Sequence, residues 1–318
     1  MGGRIAVVGS LMTDLVVRVP RLPVAGESLI GRSLTPFVGG KGGNQAIAAA
    51  RAGADGVHMV GRVGADAFGE EIVRTLEEDG VDCRYVTRDQ FAGTGVAIPL
   101  VLDDGSNSII AIPRANLEMT AAEIVAAKDV LTAVDVLLVQ FEVSMEAVET
   151  AMAIAREAGV RVVLNPAPIT PHPADIFRLA HVVVANEVEA GALVPECGGD
   201  HGQEAVALLA KGPAVSIVTL GEQGAIVAAQ GERFYVPAFA VTAVDSVGAG
   251  DAFCGALAVA LCERMELAEA VRFANAAGAL AVTRAGAAAS LPERAAIEAT
   301  IRDSQIPNSQ FIVPNPGS

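Results

Sequence analysis

Cysteine and histidine are scarce in this 318-residue chain, four of each, and neither is spaced for a structural framework. Cys83, Cys197, Cys254 and Cys262 form no Cys-x-x-Cys pair and are too few for a disulfide framework, which fits reduced thiols in a cytoplasmic protein. His58, His172, His181 and His201 are scattered and give no zinc pattern. Positive charge is also short: 22 Lys and Arg face 37 Asp and Glu, a net charge of -15. Binding a polyanion requires cations that neutralise phosphates, so this balance argues against nucleic acid and leaves room for a small, locally captured anion. No apolar run reaches the roughly 20 residues that span a bilayer, because acids, bases or turns interrupt each one. The opening MGGRIAVVGS is too short in its apolar part for a signal peptide and reads as a first strand. Two nucleotide signatures are missing as well: there is no Gly-x-x-x-x-Gly-Lys-Ser/Thr of a P-loop, and no Gly-x-Gly-x-x-Gly after the first strand.

What is present is length and rhythm. A chain of this size buries about three quarters of its unfolded surface without a staple. Short β-rich runs at 5–9, 57–61, 134–140, 160–165, 181–186 and 215–220 alternate with Ala-rich helical segments at 43–52, 66–79, 120–131 and 144–158. Near-continuous apolar strands between helices imply an α/β fold, a mostly parallel central sheet flanked by helices on both faces. Residues 12–38 and 94–112 break the rhythm with strand-like runs, the second pair around an Asp-Asp-Gly-Ser turn. They suit a small β-sheet that projects from the body as a lid, a dimer surface or both. From 251 the pattern is helical, near 251–264, 266–284 and 292–303, and a tail with three prolines at 306–318 falls outside the core.

Two glycine clusters open helical segments. In VDSVGAGDAFCGAL, residues 244–257, Gly248, Ala249 and Gly250 precede Asp251. Two readings are open for that acid. It is a solvated cap on a tight turn, or it stands beside an anion site made by unpaired helix N–H groups, where it takes a proton from an attacking hydroxyl. FVGGKGGNQAIAAARAG, residues 37–53, is either a flexible loop capped by Asn44 or a second binding turn.

In combination and order, GGKGGNQA, NEVE at 186–189, TLGEQG at 219–224 and DSVGAGD at 245–251 resemble the ribokinase (PfkB-type) family of carbohydrate kinases, from about residue 4 to 292. The resemblance implies a ribokinase-like kinase domain over 1–305 with both lid segments inserted in it. It implies that Asp251 is the general base and that the backbone of Gly248, Ala249, Gly250 and Asp251 forms the anion hole. Base and hole then share one turn, as a reaction governed by alignment and charge requires. By the same resemblance, Asn186 and Glu189 act on Mg2+ and the phosphates, largely through water, although an Asn and Glu at this spacing are by themselves a helix cap. Thr219, Gly221 and Gly224 belong to the nucleotide loop, and Asn275 lies on the adenine side. Asp245, Val247, Ala281, Arg284, Gly286 and Ser290 match positions that hold a monovalent cation, so K+ activation is expected.

On the sugar side, Met12, Asp14, Gly40, Lys41, Asn44 and Glu142 match substrate positions, with Asp14 accepting bonds from sugar hydroxyls. Ribokinases typically carry Asn where Met12 stands, and methionine there resembles the deoxyribokinase branch. A thioether cannot donate a hydrogen bond and accepts one weakly, so a ribose 2-hydroxyl buried against it would lose a partner at about 1–3 kcal/mol. Alternatively, Met12 simply floors a pocket for another sugar. The expectation is an ATP-dependent kinase acting on the 5-hydroxyl of 2-deoxy-D-ribose. The alternatives are D-ribose, another sugar or nucleoside of the family, and a non-catalytic sensor, against which the intact GAGD argues. An exposed apolar lid sheet favours a homodimer.

Overall fold

The computed structural model describes residues 3–103, 107–229 and 231–304. The strands are β1 (Arg4–Val8), β2 (Met12–Arg18), β3 (Ser33–Gly39), β4 (Gly56–Gly64), β5 (Val81–Asp89), β6 (Gly95–Val101), β7 (Asn107–Ile112), β8 (Val136–Gln140), β9 (Arg161–Asn165), β10 (Val182–Asn186), β11 (Val215–Thr219), β12 (Gly224–Ala229) and β13 (Glu232–Pro237). The helices are α1 (Lys41–Arg51), α2 (Ala67–Glu78), α3 (Ala121–Ala126), α4 (Lys128–Leu131), α5 (Met145–Glu157), α6 (Glu187–Leu193), α7 (His201–Ala210), α8 (Ala249–Cys262), α9 (Leu267–Ala281) and α10 (Arg294–Asp303).

Nine strands form the central sheet in the order β13-β12-β11-β10-β9-β8-β1-β4-β5, parallel from β11 to β5 with an antiparallel β12-β13 edge. The parallel strands read as unbroken apolar runs because both of their faces are covered. Ile5 and Val7 point into a core shared with α1, α8 and α9, whereas Ala6 and Val8 point into the core under α5 and α7. Helix α8 has no polar face: residues 251–261 are buried throughout, since the helix is enclosed by α1, α9 and the sheet. Gly255 permits this, because a Cβ there would stand 2.5 Å from the Ala48 Cβ in α1.

The four-stranded lid sheet has the order β3-β2-β6-β7. The Asp-Asp-Gly-Ser turn between β6 and β7 lies in part, and the 306–318 tail entirely, outside the described residues. Strand alternation divides the lid into two unlike faces. Asp14, Val16, Arg18, Thr35, Phe37 and Pro99 look inward onto a cleft of about 440 Å³, closed on its other side by loops 243–247 and 285–287. The register puts Leu15, Val17, Leu34, Ile98, Leu100, Ile110 and Ile112 on the outer face, where Leu34, Ile110 and Ile112 are exposed.

The sequence pattern and the structure differ in three places. The expected helix over 120–131 is two short helices, because the backbone leaves helical geometry at Ala127 (φ −92°, ψ 10°). Strand β5 is absent from the apolar runs because it is an edge strand with an interrupted pattern, VDCRYVTRD. The β12-β13 hairpin likewise turns one edge towards solvent, and its second strand carries Glu232 and Arg233. Among the described residues no helix is long and apolar enough to cross a membrane.

Candidate active site

Most of the expected site residues come together at the C-terminal ends of the parallel strands, where open α/β sheets bind ligands. Strand β1 leads into Gly9 and Ser10, β8 runs into Glu142, β9 ends at Asn165, β10 at Asn186 and β11 at Thr219. Helices α1 and α8 start at the same edge of the sheet.

The first turn of α1 is packed against the end of β1. A Cβ on Gly42 would lie 2.6 Å from the Gly9 carbonyl carbon, and one on Gly40 (φ 85°) 2.8 Å from the Met12 nitrogen. The glycines of GGKGG are therefore not a flexible loop but a tight joint. This joint brings Lys41, Asn44 and Gln45 to the site. The Lys41 backbone N–H donates to Glu142 Oε2 at 3.0 Å, and the Ser10 hydroxyl donates to the same oxygen.

Helix α8 is preceded by Gly248 in the left-handed region (φ 82°) and opens with Ala249, Gly250 and Asp251. First-turn N–H groups have no acceptor within their own helix, so this turn presents donors. A Cβ added to Gly250 would meet nothing within 4 Å among the described residues beyond its own helix turn, so packing against other elements does not demand glycine there. Asp251 is buried rather than a solvated cap. Its Oδ2 accepts from Asn44 Nδ2 at 2.9 Å and its Oδ1 from Gln45 Nε2 at 3.0 Å. Asn44 Oδ1 is buried with no hydrogen-bond partner among the described residues. Gln45 escaped the sequence reading; its signal was its place directly after Asn44 on a helix whose next residues are all apolar.

Charge accumulates at this point. Burial, with Glu142 and Asp251 nearby, pushes the Asp14 carboxyl up to about 7. Burial also raises Glu142, against the opposing pull of Lys41 and its hydrogen bonds. Burial works against the Lys41 ammonium, yet the carboxylates of Asp251, Glu142 and Glu189 hold its pKa above the ordinary value. One half-buried cation among several acids is a site that accepts further positive charge or sheds protons.

Asn186 and Glu189 form a reciprocal capping box: Asn186 Oδ1 accepts from the Glu189 N–H at 2.8 Å, and Glu189 Oε2 from the Asn186 N–H at 2.9 Å. Glu189 is nonetheless near Lys41 and Asp251, and burial raises its pKa. Its second carboxylate oxygen is left over by the cap. A single carboxylate with water and phosphate is the oxygen donor set that Mg2+ takes, so these residues fit that ion.

On the nucleotide side, Gly221 (φ 53°) and Gly224 (φ 114°) shape the turn after Thr219, and a Cβ on Gly224 would stand 2.2 Å from the Val236 carbonyl oxygen. Asn275 Nδ2 donates to the carbonyls of Val236 and Pro237, which ties α9 to the end of β13. The monovalent-cation positions lie on two adjoining loops. Asp245 joins them, accepting from the Val247 N–H at 3.1 Å and the Gly286 N–H at 3.0 Å. Ala281 is the last residue of α9, Arg284 is exposed, and Ser290 is buried with its hydroxyl on the Ala287 carbonyl. Met12 is 3% exposed, with its Cγ 3.0 Å from the position of a Cβ on Gly95, and it lies on the inner face of β2 with Asp14.

Residues 3–294 match the pfkB family of carbohydrate kinases. The ribokinase of Bacillus subtilis is 39% identical over 294 residues, covering 92% of this chain and 98% of that protein. The deoxyribokinase of Salmonella typhi is 36% identical over 292 residues, covering 91% and 95%. The structure of Arabidopsis thaliana ribokinase complexed with ribose and ATP superposes with a TM-score of 0.87 at 30% identity, covering 96% of this chain and all of that one. With a family model matched over almost its whole length, the chain belongs to the pfkB family of carbohydrate kinases and is a sugar kinase of the ribokinase type.

Proposed function

We propose that the protein transfers the γ-phosphoryl group of ATP to the 5-hydroxyl of an aldopentose, with D-ribose as its main substrate. The observation that carries this reading is the pairing of Asp251, fixed by Asn44 and Gln45, with Asp14 of the lid in one electrostatic cluster. Asp14 and the unpartnered Asn44 Oδ1 are acceptors suited to sugar hydroxyls. Asp251 takes the proton of the attacking hydroxyl while the first-turn N–H groups of α8 stabilise the charge on the transferred group. The open space over Gly250 supports close approach of a phosphate. Mg2+, held through Glu189 and Asn186, supplies charge neutralisation on the phosphates when bound. The loops that Asp245 ties together would hold K+, which would add positive charge beside that turn.

The relatives' names favour D-ribose, and one residue favours a second reading. Met12 offers a buried thioether on the strand that carries Asp14, a poor partner for a 2-hydroxyl, which supports 2-deoxy-D-ribose. Measuring kcat/KM for both pentoses in the native enzyme and in Met12→Asn decides between them. A deoxyribose preference that reverses in the variant supports the second reading, a ribose preference in the native enzyme supports the first, and turnover of neither rejects both.

The apolar outer face of the lid supports a homodimer in which a second copy covers Leu34, Ile110 and Ile112. Sedimentation of the native chain beside Ile110→Lys reads this directly.

A further inference from the structure

The geometry points to Gln45 and Gln140 as positioning residues for Asp251, an inference that rests on Asp251 being the base. Both glutamines are fully buried, and neither belongs to the set expected to touch the sugar, the nucleotide or a cation.

The orientation of each amide follows from its neighbours. Asn165, at the end of β9, donates through Nδ2 to the Val184 carbonyl of β10 at 2.9 Å. Its Oδ1 therefore faces Gln45, whose Nε2 is 3.4 Å away. The other neighbour of that nitrogen is Asp251 Oδ1, at 3.0 Å. Two acceptors face Gln45 on this side, so its NH2 must point towards them; turned over, the amide would set an oxygen against a carboxylate. Gln45 Oε1 is thereby directed to Gln140 Nε2, which donates to it at 2.7 Å. The polarity of the whole row is set from the sheet backbone to the carboxylate.

This arrangement leaves one group unsatisfied. Gln140 Oε1 is buried with no hydrogen-bond partner among the described residues. It lies where even a Cβ on Gly9 would come within 2.0 Å of it. A buried acceptor without a partner is unfavourable, and a methionine would fill the same space without one. Packing alone does not explain an amide at position 140; directing the Gln45 donor at Asp251 does. With one bond to each oxygen, Asp251 is held against rotation and still has a lone pair on each oxygen for the sugar proton. Displacements of about 1 Å at a reacting group cost on the order of 10²-fold in rate, so such restraint acts on kcat.

The test compares kcat and KM for D-ribose, 2-deoxy-D-ribose and MgATP, with K+ present, in the native enzyme, Gln45→Met, Gln140→Met, the double variant and Asp251→Asn. Gln45→Met is expected to lower kcat by about 10- to 100-fold with KM steady, and Gln140→Met by less. Because Gln140 acts only through Gln45, the double variant is expected to be no slower than Gln45→Met. A packing role would lower the melting temperature and leave kcat in place, and that result overturns the inference, as do losses that multiply in the double variant. If Gln45→Met does not fold, Gln140→Met is read alone: a fall in kcat at steady KM supports the inference and an unchanged kcat overturns it. Native-like turnover by Asp251→Asn would overturn the base assignment itself. An inactive Asp251→Asn beside an unimpaired Gln45→Met overturns only the positioning.

Discussion

Asn44 Nδ2 in the first turn of α1 donates to Asp251 Oδ2 in the first turn of α8 at 2.9 Å, across 207 residues of sequence. The two helix starts thus form one unit, and the packing of α1 on α8 becomes part of the chemistry. The two helices meet at small residues, Ala48 against Gly255.

Gly255→Ala adds a Cβ that lies 2.5 Å from the Ala48 Cβ and 2.8 Å from the Ala49 nitrogen. The backbone cannot yield locally, so the helices must separate. A stability loss of roughly 1–3 kcal/mol in denaturant unfolding is expected. A fall in kcat of about 10- to 100-fold should accompany it, because Asn44 and Asp251 lose register. Native turnover in a destabilised variant would detach the packing from the chemistry.

Asp14 gives the enzyme a pH dependence with a definite sign. Its carboxyl is raised to about 7 in the fold, above the ordinary 3.8. Only the ionised form accepts with both oxygens, so kcat/KM for the sugar should fall as pH drops below about 7. For stability, the folded state holds this proton more tightly than the unfolded chain. Asp14 therefore costs nothing below pH 4 and lowers stability as pH rises from about 4 to about 7. At pH 8, Asp14→Asn should be more stable than the native protein by roughly 1–4 kcal/mol while losing sugar affinity. A variant that is less stable at pH 8 would show that the carboxylate is not strained by its burial.

Asp245 ties together the loops expected to hold K+, through the Val247 and Gly286 N–H groups. The native enzyme should turn over faster in K+ than in a large organic cation, and Asp245→Ala should lose most of that difference. Equal rates of the native enzyme in both salts would remove the cation from the account of the anion hole.

Much of this was legible in the sequence because its causes are local. Continuous apolar strands between Ala-rich helices announce a covered parallel sheet, and the lid strands stand out because they alternate differently. The residues of DSVGAGD and GGKGG are neighbours in the chain, so each motif places its residues together at one helix start. What the sequence concealed is long-range and polar. The bonds of Gln140 and Asn165 to Gln45 join three separate elements, and no spacing rule links them. The edge strands β5 and β13 were missed because half-solvated strands mix charge with apolar residues. The reciprocal cap of Asn186 and Glu189 was foreseen as their simplest use, and the fold keeps it while bringing Glu189 near Lys41.

The most direct measurement is pentose-dependent ADP formation by the native enzyme and by Asp251→Asn, with D-ribose and 2-deoxy-D-ribose in turn, at saturating MgATP and K+. Asp251 as general base requires ADP formation that depends on a pentose and falls by about 10²- to 10⁴-fold in the variant, with the fold intact by thermal unfolding. Native turnover by Asp251→Asn, or no pentose-dependent ADP from the native enzyme, would contradict it.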